Sequence, residues 1–264
     1  MNGSPLTEKK GWLSGAALKY IAIVLMIINH MGYVWFDRFA DGPDWLEDLM
    51  WYVTRPSFFI FAFLIAEGLI HTRSRPKYLF RLALFAFISE PFFDFCFYGT
   101  FWSPGNQNVF ITHFLAAAAV TVTEAFPECK KVLAPLTGIL AGLAAHLLST
   151  DYSFFGVAVI LCLYYLHDAD EGLKYSVLVA VTLAGCPLML ILNNIDRLSA
   201  VFTNKYLGVM LDYTVTEAMG LLVIPLLTAY NGQRGRQMNK YVYYSIYPLH
   251  LLLFGLWGKF FGTK

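Results

Sequence analysis

The segment LSGAALKYIAIVLMIINHMGYVWF, Leu13–Phe36, decides the fold because it is long and apolar enough to cross a lipid bilayer. About 20 apolar residues in a helix span the hydrocarbon core, which is roughly 30 Å thick. The segment also carries Lys19, Asn29 and His30, and a lysine inside a membrane costs on the order of 2.5 kcal/mol or more. We therefore expect a membrane helix whose polar side chains have a structural or a chemical purpose.

Lys19 and His30 share one face of this predicted helix. They are eleven residues apart, which is about three helical turns, or some 16 Å along the axis. The face would offer a cation at one end and a titratable base at the other. The structural alternative is that Lys19 reaches the lipid headgroups while His30 forms a hydrogen bond to a neighbouring helix.

The composition places the chain among polytopic α-helical membrane proteins. Of its 264 residues, 58% are hydrophobic and only 14% are charged, whereas a soluble domain has about 25% charged residues. The net charge of +1 gives no field that would favour nucleic acid as a partner. The four cysteines show no CxxC pairing, and no His/Cys/Asp cluster has the spacing of a zinc site, so we assign no metal.

Apolar runs recur along the chain and predict an all-α transmembrane bundle of about nine spans, forming a single membrane domain over residues 1–264. The excess of Lys and Arg in alternate loops predicts a cytosolic N-terminus. The predicted spans are Leu13–Phe36, Leu49–Ile70, Lys77–Tyr98, Asn108–Phe126, Val132–Thr150, Tyr152–Leu166, Leu173–Leu192, Tyr206–Tyr230 and Tyr241–Phe260.

This orientation sorts the polar residues by depth and suggests a polar shaft through the bundle. Buried ionisable groups usually face a bundle interior or a water-filled cavity. The cytosolic half would hold Lys19, Glu67, His71, Arg73, Arg81, Arg234 and Lys240. The outer half would hold His30, Arg55, Asp94, His113, His146 and Asp151, with Glu90 and His250 near mid-depth.

His30 is the candidate general base, because an imidazole titrates near neutral pH. We predict that Asn29 and Asp94 orient it or hold the nucleophile. Glu90 and Asp94 are four residues apart around Pro91, so they share a helix face. The alternative for these two carboxylates is a bracing ion pair with Arg55 or Arg81.

Two basic loops near the cytosolic membrane face suit phosphate groups, since Arg forks and glycine amides bind them well. With Lys19 and Arg81 they predict a pocket for a phosphorylated cofactor, formed by Lys19, Arg73, Arg81, Asn231, Arg234 and Lys240. The alternative is that these loops only follow the positive-inside rule. We treat His113 and His167 as structural.

The order of these motifs resembles the TraX family of bacterial membrane acetyltransferases, named for the enzyme that N-acetylates the F-type pilin. The resemblance covers nearly the whole chain. The matching pieces are Leu18–Ala22, Asn29–Gly32, Arg55-Pro56, Phe61–Phe63, Glu67-Gly68, His71–Arg73, Tyr78–Arg81, Ser89–Asp94, Gln107–Val109, Thr112, Asp151-Tyr152, Gly156, Tyr230–Gly235, Lys240-Tyr241 and Tyr247–His250.

Two departures from the family pattern stand out. Asn29-His30 replaces the common Asp-His pair, which removes a carboxylate that would raise the basicity of the imidazole. The glycine expected after Tyr152 is Ser153 here. The Lys19-to-His30 spacing is also similar to that of larger membrane acyltransferases that modify surface glycans.

The resemblance implies an acetyltransferase of the bacterial cytoplasmic membrane that takes acetyl-CoA from the cytosol. The acceptor would be an amine, or a hydroxyl, on a small molecule, peptide or glycan. Arg55, Glu90, Asp151 and His250 would bind this acceptor, and Arg55 or Asn29 would face the oxyanion. The alternative from the residues alone is a proton-coupled transporter that uses the same intramembrane His, Arg and Glu.

Overall fold

The computed structural model describes residues 11–38, 43–194 and 203–262. These residues form helices, with two isolated backbone bridges and no β-strand. The helices are α1 (Gly15–Arg38), α2 (Asp44–Thr54), α3 (Pro56–His71), α4 (Arg75–Tyr98), α5 (Val109–Ala125), α6 (Lys130–Leu147), α7 (Ser153–Tyr165), α8 (Glu171–Asn193), α9 (Asn204–Ala218), α10 (Ile224–Thr228) and α11 (Lys240–Phe261), with 3₁₀ turns at Pro127–Cys129 and Met219–Val223.

Helix α3 lies at the centre of the bundle. It packs against α1, α5, α7 and the 3₁₀ turn before α10, and ten of its sixteen residues are buried. Phe59 and Ile60 of this helix are fully buried, together with Leu18 of α1 and Phe155 of α7. A helix that is apolar on all sides is buried on all sides, so α3 forms the core on which the site is built.

Proline sets the break between α2 and α3. Pro56 occupies the first turn of α3, where its missing N–H costs no hydrogen bond, and Arg55 joins the two helices. The side chain of Arg55 is thereby placed at a break in the middle of a continuous apolar stretch, Trp45–His71.

The expectation of about nine spans stays a prediction. Each predicted run corresponds to helical structure, and among the described residues four stretches are long and apolar enough to cross a membrane: Gly15–Asp37, Trp45–His71, Glu171–Asn193 and Tyr206–Thr228. A fifth would be α5 and α6 taken together, although they are bent by 105°. Helix α7, with 13 residues, is too short, since a crossing takes about 20 residues.

Two backbone contacts fix the loops at the ends of the bundle. Leu13 forms a backbone bridge with Tyr230. The Leu13 N–H donates to the Ala229 carbonyl at 2.8 Å, and the Asn231 N–H donates to the Leu13 carbonyl at 2.9 Å. Gln107 bridges to Thr150, and the Asp151 N–H donates to the Gln107 carbonyl at 2.8 Å. The first contact holds the loop before α11 against the start of α1. The second holds the loop between α6 and α7.

Candidate functional site

Three cavities lie one after another through the bundle, because each shares part of its lining with the next. The basic cavity, of about 500 Å³, contains Lys19, Arg81 and Arg234 in its wall. The histidine cavity, of about 290 Å³, contains His30 and Arg55. The amide cavity, of about 680 Å³, is lined in part by Asn106, Gln107, Asn193, His146 and Tyr213. The basic and histidine cavities share Met26, Phe61, Val109, His113 and Tyr247. The histidine and amide cavities share Phe93, Tyr98, Asp151 and Tyr152.

The basic cavity collects four of the six residues predicted to hold a phosphorylated cofactor. They are Lys19, Arg81, Arg234 and Lys240. The Lys19 ammonium donates to Gln237 Oε1 at 2.8 Å and lies 4.3 Å from the centre of the Tyr243 ring. Within the described part of the chain none of the four forms an ion pair with a carboxylate, so their charge is available to an anion.

The other two predicted residues stand outside this cavity. Arg73 is exposed in the loop between α3 and α4 and does not line the cavity. Asn231 shapes the loop that presents Arg234, since its Oδ1 accepts from the Gln233 N–H at 2.9 Å. Gly235 in the same loop has a φ of +66°, and its Cα faces Ser14 so closely that a Cβ would collide with that side chain. This loop therefore requires its glycine.

His30 forms a hydrogen-bonded pair with His250, and when both rings are neutral the geometry fixes their tautomers. His30 Nδ1 lies 2.6 Å from His250 Nε2, while His250 Nδ1 lies 2.7 Å from the Ile246 carbonyl oxygen. A carbonyl only accepts, so His250 Nδ1 carries the proton and the Nε2 of a neutral His250 accepts from His30 Nδ1–H. The lone pair of His30 is then on Nε2, and within the described residues the hydrogen bond of His30 is made by Nδ1.

The rings of the two histidines are nearly parallel, with centroids 4.9 Å apart and planes 7° from parallel, and they meet edge to edge through the nitrogen contact of 2.6 Å. His250 does not line any of the three cavities, so its contact is with His30 rather than with space open to a ligand. Asn29 lines the histidine cavity but donates to Thr54 Oγ1 at 2.8 Å, which ties α1 to α2. The structure therefore gives His30 a second histidine as its orienting partner.

Arg55 lies in the wall of the histidine cavity and is paired with a residue that the sequence did not single out. Its Nη1 is 3.2 Å from Glu217 Oε1 and 3.5 Å from the Tyr152 hydroxyl. The Glu217 side chain is buried, and a buried carboxylate needs such a partner. A guanidinium has five N–H donors, so the pair leaves donors of Arg55 for a ligand.

Asp151 lines both the histidine and the amide cavity. Burial raises the pKa of its carboxyl to about 6, although the nearby Arg55 opposes this shift. The backbone around it is unusual, because Ser149, Tyr152 and Ser153 all have positive φ, at 50°, 60° and 45°. Such conformations are uncommon for residues other than glycine and often occur at functional sites.

Glu90 and Asp94 lie outside the lining of all three cavities. Asp94 Oδ2 accepts from the Ser103 N–H at 2.7 Å. Glu90 Oε2 accepts from the backbone N–H of Asn108 at 3.1 Å and from its side-chain amide. The alternative of a bracing ion pair with Arg55 or Arg81 is wrong, since backbone and amide donors hold both carboxylates and thereby fasten the start of α5.

Sequence reasoning also missed a polar cluster beside the basic cavity. Glu67 is buried and accepts from Tyr230 Oη at 2.9 Å and from His167 Nε2 at 2.8 Å. His167 Nδ1 lies 2.7 Å from Asp168 Oδ1. Both ring nitrogens thus donate to carboxylates, above all to Glu67, and this raises the pKa of His167. The i, i+4 spacing of Glu67 and His71 was the only signal for this cluster in the sequence.

The arrangement provides a cationic pocket, an imidazole, a guanidinium and a carboxylate in three adjacent cavities that share parts of their walls. Comparison with known proteins gives these cavities a context. The model of the TraX protein family matches residues 14–257. A protein from Dichelobacter nodosus named probable fimbrial assembly protein FimC, serogroup H1, is 25% identical over 247 residues, which cover 91% of this chain and 93% of that protein. No solved structure matches. With its long apolar helices, the chain is an integral membrane protein and belongs to the TraX family.

Proposed function

We propose that this protein is a membrane acetyltransferase that moves an acetyl group from cytosolic acetyl-CoA to an acceptor, with His30 as the general base. The observation that carries the proposal is that a cavity with four cations, none in an ion pair within the described residues, shares a wall with the cavity that contains His30. Resemblance to the acetyltransferases of the TraX family supports the reaction type. The expected location is the bacterial cytoplasmic membrane, with the N-terminus in the cytosol.

The basic cavity suits the donor. Lys19, Arg81, Arg234 and Lys240 would bind its phosphates, since Arg and Lys recognise phosphate by charge and hydrogen bonding. Lys19 and His30 are on one helix and about 16 Å apart along its axis, so a donor anchored at the cations needs a long arm to reach the base. The pantetheine arm of CoA is a long, flexible chain of this kind.

The histidine cavity suits the chemical step. His30 Nε2 would take a proton from the attacking amine as its nitrogen bonds to the thioester carbon, and Arg55 would donate hydrogen bonds to the oxyanion that forms. As the C–S bond breaks, the protonated His30 returns its proton to the departing thiolate. The products are the acetylated amine and the free thiol of CoA, with no net gain or loss of protons.

The amide cavity suits the acceptor. It lies beyond the histidine cavity as seen from the cations, and Asp151 is in the wall that the two share. An ionised Asp151 would attract the ammonium form of the acceptor and accept one of its protons, which leaves the neutral amine that attacks the thioester; this favours an amine over a hydroxyl. The name of the relative from Dichelobacter nodosus, a probable fimbrial assembly protein, makes a polypeptide acceptor reasonable, and small molecules and glycans remain within the proposal.

The test is release of free thiol from acetyl-CoA by purified protein in detergent with a mixture of primary amines. Wild-type protein should release thiol, and His30→Ala should lose at least a hundredfold of this rate, because general base catalysis contributes about 10²–10⁴-fold. The variant should still bind CoA. A folded wild-type protein that releases no thiol, but takes up solute when a proton gradient is applied, would favour a transporter instead.

A further inference from the structure

His113 is a buried histidine whose two ring nitrogens have no partner among the described residues. Its side chain is 4% exposed, and neither Nδ1 nor Nε2 forms a hydrogen bond there. Buried polar atoms in proteins are almost always hydrogen-bonded, and each exception needs an explanation. The structural role that we expected from sequence would have required such a bond, so His113 is not a satisfied core residue.

The position of His113 suggests what its partner is. It belongs to the wall shared by the basic and the histidine cavity, so a molecule that extends through this wall from the cations to His30 lies within reach of it. Two aromatic rings hold the imidazole, Phe58 nearly parallel at 6.5 Å between centroids and Phe110 edge-on at 6.0 Å. A third phenylalanine would satisfy this packing, so the nitrogen atoms must have another use.

We propose that His113 binds the acyl donor by donating a hydrogen bond to a carbonyl oxygen of its arm. This inference rests on the proposed function. A neutral imidazole offers one N–H donor and one acceptor, and the arm of acetyl-CoA offers amide groups and the thioester carbonyl. His113 thereby lies between the cavity that would bind the phosphates and the cavity that contains the base.

The experiment is calorimetric titration of detergent-solubilised protein with CoA and with acetyl-CoA, comparing wild type, His113→Phe and His113→Gln. His113→Phe keeps a ring between Phe58 and Phe110 but removes both nitrogens, so we expect Kd to rise about tenfold or more, corresponding to about 1.4 kcal/mol. His113→Gln keeps a donor and an acceptor and should lose less affinity than His113→Phe. If His113→Phe weakens the binding of both ligands, the hydrogen bond goes to an amide carbonyl of the arm. If it weakens the binding of acetyl-CoA alone, the hydrogen bond goes to the thioester carbonyl.

Thermal unfolding separates donor binding from a role in the fold. Replacing two unpartnered polar atoms by an apolar ring should stabilise the protein, so the Tm of ligand-free His113→Phe should rise by about 2–4 °C. The matched control is His146→Phe, since His146 Nδ1 is also buried without a partner but lies in the amide cavity. The control should leave the Kd of acetyl-CoA unchanged.

The outcomes distinguish this inference from the proposed function. Wild-type protein that binds neither ligand contradicts the proposed function. Wild-type protein that binds acetyl-CoA, with an unchanged Kd for His113→Phe, contradicts only the role of His113. A lower Tm for both His113→Phe and His113→Gln would also overturn it, because the imidazole would then serve the fold.

Discussion

Replacing His250 with phenylalanine tests whether the second histidine prepares His30 to act as a base. In the wild type His250 Nε2 accepts the Nδ1–H of His30 at 2.6 Å. This bond keeps the lone pair of His30 on Nε2 and stabilises the imidazolium that forms when the base takes a proton. Phenylalanine keeps an aromatic ring beside His30 but cannot accept, so the His30 ring loses both its preferred tautomer and its orientation.

The magnitude follows from the bond that is lost. A buried donor left without its acceptor costs about 1–3 kcal/mol, and each 1.36 kcal/mol in the barrier is about a factor of ten in rate. We therefore expect kcat to fall about tenfold to hundredfold. Since His250 lines none of the three cavities, the KM for acetyl-CoA should remain within about twofold of the wild type.

The assay is steady-state thiol release with varied acetyl-CoA at saturating amine. His250→Gln is the matched control, because its amide oxygen can accept from His30 and should restore part of kcat. Equal kcat in the wild type and in His250→Phe would refute the role of the pair. A rise in KM at constant kcat would instead mean that His250 contacts the donor.

Three further predictions follow from the cavities. Arg234→Ala should raise the KM for acetyl-CoA about tenfold, whereas Arg73→Ala, which lies outside the basic cavity, should leave this KM unchanged. Equal effects of the two variants when acetyl-CoA is titrated would mean that surface charge alone attracts the donor. Asp151 has a pKa raised to about 6, so it loses its charge as the pH falls through 6, and the KM for an amine acceptor should rise below that pH in the wild type but not in Asp151→Asn. Ser153→Gly should raise Tm, by about 2–4 °C for each kcal/mol gained in the free energy of unfolding. Glycine adopts the φ of 45° without strain, and the substitution removes a buried hydroxyl that has no partner among the described residues. An unchanged or lower Tm in a thermal unfolding scan would contradict this.

Local features of the site could be predicted from the sequence. The eleven-residue spacing of Lys19 and His30 correctly indicated that one helix would contribute to both the basic and the histidine cavity, because helical periodicity is a local property. The basic loop that contains Arg234 was likewise placed beside Lys19. The departure at Ser153 also has a structural counterpart, since this residue takes a conformation that glycine prefers.

Contacts between distant parts of the chain could not be predicted in this way. His30 and His250 are 220 residues apart, and no spacing rule relates α1 to α11. Arg55 pairs with Glu217 rather than with Glu90 or Asp94, because the bundle decides which charges meet. A single sequence shows which residues are costly to bury but not which partner offsets that cost.

The number of membrane crossings depends on more than the number of apolar runs. Counting apolar runs treats every run as a crossing, but α4 carries Arg81, Glu90 and Asp94 within its length, and α7 has only 13 residues. The bend of 105° between α5 and α6 depends on the short turn at Pro127, whose effect on direction cannot be read from hydropathy. The helices were predictable from the sequence, whereas the number of crossings and the orientation of the N-terminus stay predictions.

The proposed function requires that the protein move an acetyl group from acetyl-CoA to an amine with His30 as the general base. The most direct measurement is transfer of a radiolabelled acetyl group from acetyl-CoA to a primary amine by the purified protein, with His30→Ala beside the wild type. We expect labelled amide with the wild type and at least a hundredfold less with the variant. Wild-type protein that binds CoA but labels no acceptor, or His30→Ala protein that labels it at the normal rate, would rule out acetyl transfer with His30 as the base.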